Sequence, residues 1–171
     1  MSRIHSFRPV ADADAAFLIL GSMPGAASLA AGQYYAHPRN LFWRIMGEVC
    51  GARAALPYPE RLLALRAAGF ALWDVLGSCV RPGSADADIE RSSIKPNNFA
   101  AFFREHPGIK QVFFNGAKAE ECYRRYVLPA LGPACRPGYR RLPSTSPAYA
   151  SVPCERKLRV WKAALAPLLR K

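Results

Sequence analysis

The chain has 171 residues, of which 51% are hydrophobic and 21% charged, a balance that suits one packed domain over 1–171 and excludes disordered, collagen-like and coiled-coil architectures. Its net charge of +12 falls in the second half alone: residues 1–90 hold eight basic and eight acidic side chains, residues 91–171 sixteen basic and four acidic. That field suits a polyanion, because each phosphate contacted releases condensed counterions, while no apolar run approaches the roughly 20 residues that cross a bilayer.

The first buried strand is predicted over residues 16–20. It ends in Gly21-Ser22-Met23-Pro24-Gly25, where glycine lets the backbone approach a ligand and Pro24 stiffens the turn. Neither the Gly-x-Gly-x-x-Gly spacing of a dinucleotide loop nor a Gly-Lys-Ser/Thr triphosphate loop is present. Next comes Tyr34-Tyr35-Ala36-His37-Pro38-Arg39-Asn40, which packs two aromatics, an imidazole, a guanidinium and a carboxamide around the start of a helix predicted over 39–49. A structural reading makes the tyrosines partial core, His37 a turn residue and Asn40 a helix-start acceptor. At Asn40 capping and catalysis both fit, since a side chain fixed at a helix start is also well aimed.

A second helix is predicted over 59–68 and a second strand over 71–75, which contains Trp73 and Asp74. Arg81-Pro82-Gly83-Ser84 and the pair Asp86 and Asp88 beyond it read as turn and cap residues without a catalytic task. A helix over 97–105 leads to a strand over 111–114 that ends in the turn-forming pair Asn115-Gly116, followed by a helix over 118–127. The last strand, 139–142, runs into Pro143-Ser144-Thr145-Ser146-Pro147. In the final helix, 154–169, Val160, Trp161, Ala164, Leu165 and Leu168 form the core stripe, with Arg156, Lys157, Arg159 and Lys162 mostly off it, so Trp161 reads as a core anchor. Alternating strands and helices predict a three-layer α/β/α sandwich around a central, mostly parallel four-stranded sheet, whose strand-end loops converge on one ligand crevice.

The five cysteines are widely spaced and include no Cys-x-x-Cys pair, and His5, His37 and His106 are scattered. This argues against a disulfide framework and against a zinc or iron–sulfur site, and fits free thiols in a reducing cytosol. A cytoplasmic monomer with no metal and no cofactor is expected.

Three stretches then stand out together: Ile19-Leu20-Gly21-Ser22-Met23-Pro24-Gly25, Tyr35-Ala36-His37-Pro38-Arg39-Asn40-Leu41-Phe42-Trp43 and Pro143-Ser144-Thr145-Ser146-Pro147-Ala148. They resemble the uracil-DNA glycosylase superfamily, and within it the hypoxanthine-DNA (deoxyinosine) glycosylase branch, over residues 15–165. The mismatch-specific uracil/thymine branch is similar too. The resemblance implies a hydrolase that flips a deaminated base, hypoxanthine foremost, out of DNA and cuts its N-glycosidic bond, leaving an abasic site. The superfamily often places a water-activating Asp or Asn where Met23 stands, and a thioether can neither take a proton nor orient water. The hypoxanthine branch gives that task to an asparagine that falls on Asn40.

By the same resemblance Tyr35 stacks on the base; the backbone N–H groups of Ser22 and Met23 are placed to bond its edge, and Asn115, at the end of its strand, fits equally a base contact or the turn it forms with Gly116. His37, Ser144, Thr145, Ser146 and Pro147 fall on the DNA backbone, with Pro147 or Tyr149 as a wedge. The three loops hold no lysine, so no Schiff-base lyase step is implied. Met23 counts against uracil as the preferred base. Competing readings are a G:U/T mismatch-specific uracil-DNA glycosylase and a non-catalytic basic nucleic-acid-binding domain, the latter weighed against by Asn40 and Tyr35. An enzyme of free nucleosides would have little use for the C-terminal positive charge.

Overall fold

In the computed structural model, which describes residues 2–169, the elements run β1 (Arg3–His5), β2 (Phe17–Gly21), α1 (Ala26–Ala31), α2 (Phe42–Cys50), α3 (Tyr58–Ala67), β3 (Phe70–Asp74), β4 (Leu76–Val80), β5 (Lys95–Pro96), α4 (Phe99–Glu105), β6 (Gln111–Asn115), α5 (Ala117–Cys122), β7 (Gly138–Leu142) and α6 (Cys154–Leu165). Arg170 and Lys171, counted with the basic half above, lie outside the described residues. Four strands form a parallel sheet in the order β3-β2-β6-β7. β2 and β3 are buried on both faces, which is why they read as continuous apolar runs rather than as alternating ones.

Leu18 and Leu20 of β2 enter one core with Phe99, Phe102 and Tyr123, on the side of α4 and α5. Phe17 and Ile19 enter the other with Phe42, Trp43 and Trp161, on the side of α2 and α6. The α/β architecture and its four-stranded parallel sheet thus follow the sequence reading. Because the four strands are parallel, Gly21, Asp74, Asn115 and Leu142 all end at the same edge of the sheet. Among the described residues no helix is long and apolar enough to cross a membrane.

A second sheet went unread. β1, β4 and β5 pair antiparallel, in the order β1-β4-β5. β4 starts one residue after β3 ends, so a single apolar run hides the point where the chain passes from one sheet to the other. At that crossing the N–H of Val75 donates to the carbonyl of Gly21 (2.8 Å) and that of Leu76 to the carbonyl of Ser22 (3.0 Å). β1 is too short to show alternation, and β5 has two residues, one of them proline.

Helix boundaries also shift. The first expected helix begins at Phe42 rather than at residue 39, and α1 is an unforeseen six-residue turn of small side chains. The helix expected over 118–127 is α-helical only to Cys122 and continues as a π turn over Tyr123–Val127. The last helix leaves α geometry after Leu165 and closes in a 3-10 turn over Ala166–Leu168, where Pro167 has no N–H to donate.

Candidate functional site

The C-terminal ends of β2, β3, β6 and β7 open into a cleft of about 910 Å³, and every site residue named from the sequence lines it. Ser22 and Met23 come from the loop after β2, and Tyr35, His37 and Asn40 from the segment before α2. Asn115 ends β6, and Ser144, Thr145, Ser146 and Pro147 follow β7. The convergence comes from the parallel sheet; what each side chain does there depends on its partners.

In the first loop the hydroxyl of Ser22 donates to Asp86 Oδ2 (2.8 Å). The thioether of Met23 is buried in the core on the α4 side. Among the described residues no hydrogen bond takes the backbone N–H of Ser22 or Met23, so two donors are left at the cleft wall.

Asn40 is fixed by two local bonds: its N–H donates to the carbonyl of His37 (2.9 Å) and its Oδ1 accepts the N–H of Phe42 (3.0 Å). A carboxamide oxygen has two lone pairs, so Oδ1 keeps one for another donor. His37 Nδ1 accepts the N–H of Arg39 (3.1 Å), and Leu41 N–H donates to the carbonyl of Thr145 (3.1 Å), which ties this segment to the loop after β7. Tyr34 is a structural anchor: its hydroxyl donates to the carbonyl of Arg8 and its own carbonyl accepts Trp43 Nε1.

Tyr35 differs. Its φ of 54° is the one left-handed value at a non-glycine residue in the described chain, a strained state held in place by its ring, which stacks on Phe42 with centroids 4.1 Å apart. Its hydroxyl is buried without a hydrogen-bond partner, and burial, then the charge of Asp74, push its pKa up.

Asn115 and Thr145 hold each other. The amide of Asn115 donates to Thr145 Oγ1 (3.0 Å) while its Oδ1 accepts the N–H of Thr145 (2.9 Å), and Thr145 is only 1% exposed. The side chain of Thr145 therefore faces inward, which takes it off the set of hydroxyls facing a DNA backbone, and both polar atoms of Asn115 are engaged in this clamp. Ser144 and Ser146 accept the N–H groups of Ser146 and Ala148 and keep their own O–H hydrogens to donate outward.

Lys157 corrects the reading of the last helix. It is 3% exposed rather than on the basic face, and its ammonium donates to the carbonyls of Ser146 (3.2 Å) and Tyr149 above the Tyr149 ring. Burial pushes its pKa down. The signal was in the spacing, since Lys157 precedes Trp161 by four residues and so shares its stripe.

The fourth side of the cleft is built from residues that the sequence places in a strand end and in turns, without a task in the chemistry. Asp74, at the end of β3, and Asp86, in a turn over Asp86–Asp88, both line it. Burial raises the pKa of both, and Asp74 is pushed up to about 7, with the charge of Asp86 adding to burial and that of Arg81 opposing it. Arg81 is buried and donates to the carbonyls of Pro24 (2.7 Å) and Gly83 (3.1 Å), which pins the first loop to this wall. An acid closing an otherwise apolar strand was the available signal for Asp74. Lys118, from the first turn of α5, also lines the cleft and is ion-paired with Glu121 (3.6 Å).

A parallel α/β sheet with a cleft at its strand ends places the chain in the α/β class, and comparison with known proteins narrows it. The model of the Uracil DNA glycosylase superfamily matches residues 8–167, and the chain belongs to that superfamily. It is 40% identical over 129 residues to a protein named hypoxanthine DNA glycosylase from Methanosarcina barkeri, covering 75% of this chain and 79% of that one. A protein of the same name from Methanosarcina acetivorans is 34% identical over 141 residues, covering 77% and 88%. A solution NMR structure from Methanosarcina acetivorans, described as that of a candidate uracil DNA glycosylase, superposes with a TM-score of 0.79 at 32% identity, over 98% of this chain and 99% of that one.

Proposed function

We propose that the protein is a monofunctional DNA glycosylase of base excision repair that extrudes a deaminated nucleotide, deoxyinosine foremost, and hydrolyses its N-glycosidic bond. The observation that carries this reading is the cleft itself: the first loop offers no acid or amide side chain, while Asn40 presents a fixed carboxamide with a lone pair to spare. Asn40 Oδ1 holds the attacking water beneath the anomeric carbon. A carboxamide is too weak a base to deprotonate that water early, so the bond to the base stretches first and the water captures a largely formed oxocarbenium ion. Tyr35 stacks on the base, and the N–H groups of Ser22 and Met23 bond its edge as negative charge develops there. Ser144, Ser146, Pro147 and His37 hold the flanking backbone.

The names of the two relatives support hypoxanthine as the base. The three cleft loops that resemble the family carry no lysine, and the proposed mechanism uses no Schiff base. Borohydride added during turnover traps no covalent adduct. Five free thiols support action in the cytoplasm.

The test is alkali-induced cleavage of labelled duplexes with one deoxyinosine, deoxyuridine or deoxyxanthosine, at low salt. The unaltered protein releases the base from the deoxyinosine duplex, and Asn40→Ala slows release about a thousandfold while duplex binding persists. Release from deoxyuridine alone would move the protein to a uracil-directed activity. Tight, salt-sensitive binding with no cleavage of any duplex would sink the enzymatic reading.

A further inference from the structure

The carboxyl of Asp74 has no place in the mechanism above, yet it lines the cleft at the end of β3. Its backbone is held: the carbonyl accepts the amide of Asn97 (2.8 Å). Its carboxyl is not, because Oδ2 is sealed from solvent without a hydrogen-bond partner. Oδ1 is turned to the bare Cα of Gly21, where a Cβ would sit 2.5 Å away, and the same point would lie 3.2 Å from the unpartnered hydroxyl of Tyr35. The Asp74 carboxyl and the Tyr35 hydroxyl therefore close on the bare backbone of one glycine in the cleft wall, where any side chain would displace them, and the other carboxyl oxygen of Asp74 is left for a donor or acceptor that the protein does not supply.

We propose that Asp74 is a general acid for base release: its neutral carboxyl gives its proton to N7 of the departing purine as the bond between C1′ and N9 breaks. This rests on the glycosylase reading. The bonding pair moves onto the base, the proton of Asp74 neutralises it, and hypoxanthine leaves as its N7–H tautomer. Asp74 is left as a carboxylate, the sugar cation takes the oxygen of water, and the proton released from that water balances the one Asp74 regains from solvent. The sum is nucleotide plus water giving free base and abasic site.

The surroundings favour the acid form. Asp86, from the turn beyond β4, repels a charge on Asp74; Arg81 favours one from farther along the same segment; Tyr35 and Tyr34 face it from the other side as neutral phenols. Burial, reinforced by Asp86, outweighs Arg81 and pushes the carboxyl up to about 7, where an acid can both hold and surrender a proton in neutral solution. A purine carries N7, a basic nitrogen remote from the breaking bond, and a pyrimidine carries none, so the same acid favours purines over uracil.

The experiment measures single-turnover release from deoxyinosine and 7-deaza-deoxyinosine duplexes by the unaltered protein and Asp74→Asn, from about pH 5 to pH 9. The unaltered rate on deoxyinosine is level below about pH 7 and falls about tenfold per unit above it. Asp74→Asn is at least about a hundredfold slower at pH 6, shows no such fall, and binds the deoxyinosine duplex as before. On the 7-deaza duplex, with no N7 to protonate, the two proteins are equally slow. A level profile through pH 9 for the unaltered protein overturns the proposal without recourse to any variant. So does a loss in Asp74→Asn that is the same on both duplexes. If the unaltered protein releases no base from any duplex, the function proposed above fails, and this inference with it.

Discussion

The wall of β3 and the segment after β4, and the wall of β7 and α6, each take an ionisable group out of water, with opposite signs and opposite degrees of satisfaction. Lys157 spends its ammonium on two carbonyls and an aromatic ring, so its burial fixes the loop over residues 144–149. Asp74 leaves its carboxyl without a hydrogen bond, so its burial fixes nothing within the protein. A buried polar group with its partners in place is architecture; one without them is poised for something that arrives later. The charge follows the same division: the acids Asp74 and Asp86 stand in the balanced half of the chain, and Lys118 and Arg141 line the cleft from the half that carries the whole excess. On the proposed reading one wall handles the base and the other the phosphates.

The sharpest way to break this contrast is at Gly21. A Cβ there collides with Asp74 Oδ1 and crowds the Tyr35 hydroxyl, so Gly21→Ala displaces both groups by the order of an ångström. Single-turnover release falls at least about a hundredfold, with the fold retained by circular dichroism. An unchanged rate would show that the acidic wall lies outside the working part of the cleft. At the other wall, Lys157→Met leaves the carbonyls of Ser146 and Tyr149 bare and costs about 1–3 kcal/mol in denaturant unfolding. Duplex affinity falls with it, whereas the rate at saturating protein changes little. A loss confined to the rate would place Lys157 in the chemistry rather than in the scaffold.

How far the sequence revealed these walls depended on whether the signal was periodic. β2, β3 and β6 announced themselves as apolar runs ended by turn residues, whereas β7 is a mostly exposed edge strand with Arg140 and Arg141 in it and was marked chiefly by the turn that follows; their parallel order brought the named loops together. The antiparallel sheet left no such trace, since β4 is fused to β3 through Val75 and β5 is two residues long. Asn40, Tyr35 and Ser22 were legible because their residue types recur in a pattern that resembles a family's. Asp74 and Asp86 were not, because an aspartate at a strand end or before a turn has an ordinary local use, and only the three-dimensional structure shows that Asp74 has found no partner. Lys157 was misread for a different reason: a lysine on a core stripe is rare enough that charge outweighed spacing. Nothing local in the sequence reveals the clamp of Thr145 to Asn115, thirty residues away, so the residue reads there as a surface hydroxyl.

The contrast also has a stability signature. Asp74 has its pKa raised from 3.8 to about 7 in the folded protein. Below pH 4 the carboxyl is protonated in both states and the fold loses nothing by burying it. Between about pH 4 and pH 7 the unfolded chain ionises while the native chain stays neutral, so stability falls by up to about 1.4 kcal/mol per pH unit, and above pH 7 the loss is complete. Asp74→Asn removes this dependence: the variant gains on the unaltered protein as pH rises from 4 to 7 in urea unfolding, and the difference levels off above. A difference independent of pH would mean that Asp74 ionises as freely in the fold as outside it.

The smallest effect separates the phosphate wall from charge in general. Arg141 lines the cleft, is itself largely exposed, and shares Glu120 (3.3 Å) with Arg124, so it is available to a phosphate. Arg141→Ala lowers the slope of log affinity against log salt by about 1 and weakens duplex binding by a few fold near physiological salt, with no effect on the rate at saturating protein. Arg66, paired with Asp12 and not part of the cleft, serves as the control, and Arg66→Ala leaves the slope unchanged. Equal losses of slope in both variants would mean that the positive charge acts as a uniform coat and that DNA has no preferred track. A loss in Arg141→Ala alone places the phosphates beside β7, on the side of the cleft away from Asp74, where the backbone of an extruded nucleotide must run if its base is to reach the acid.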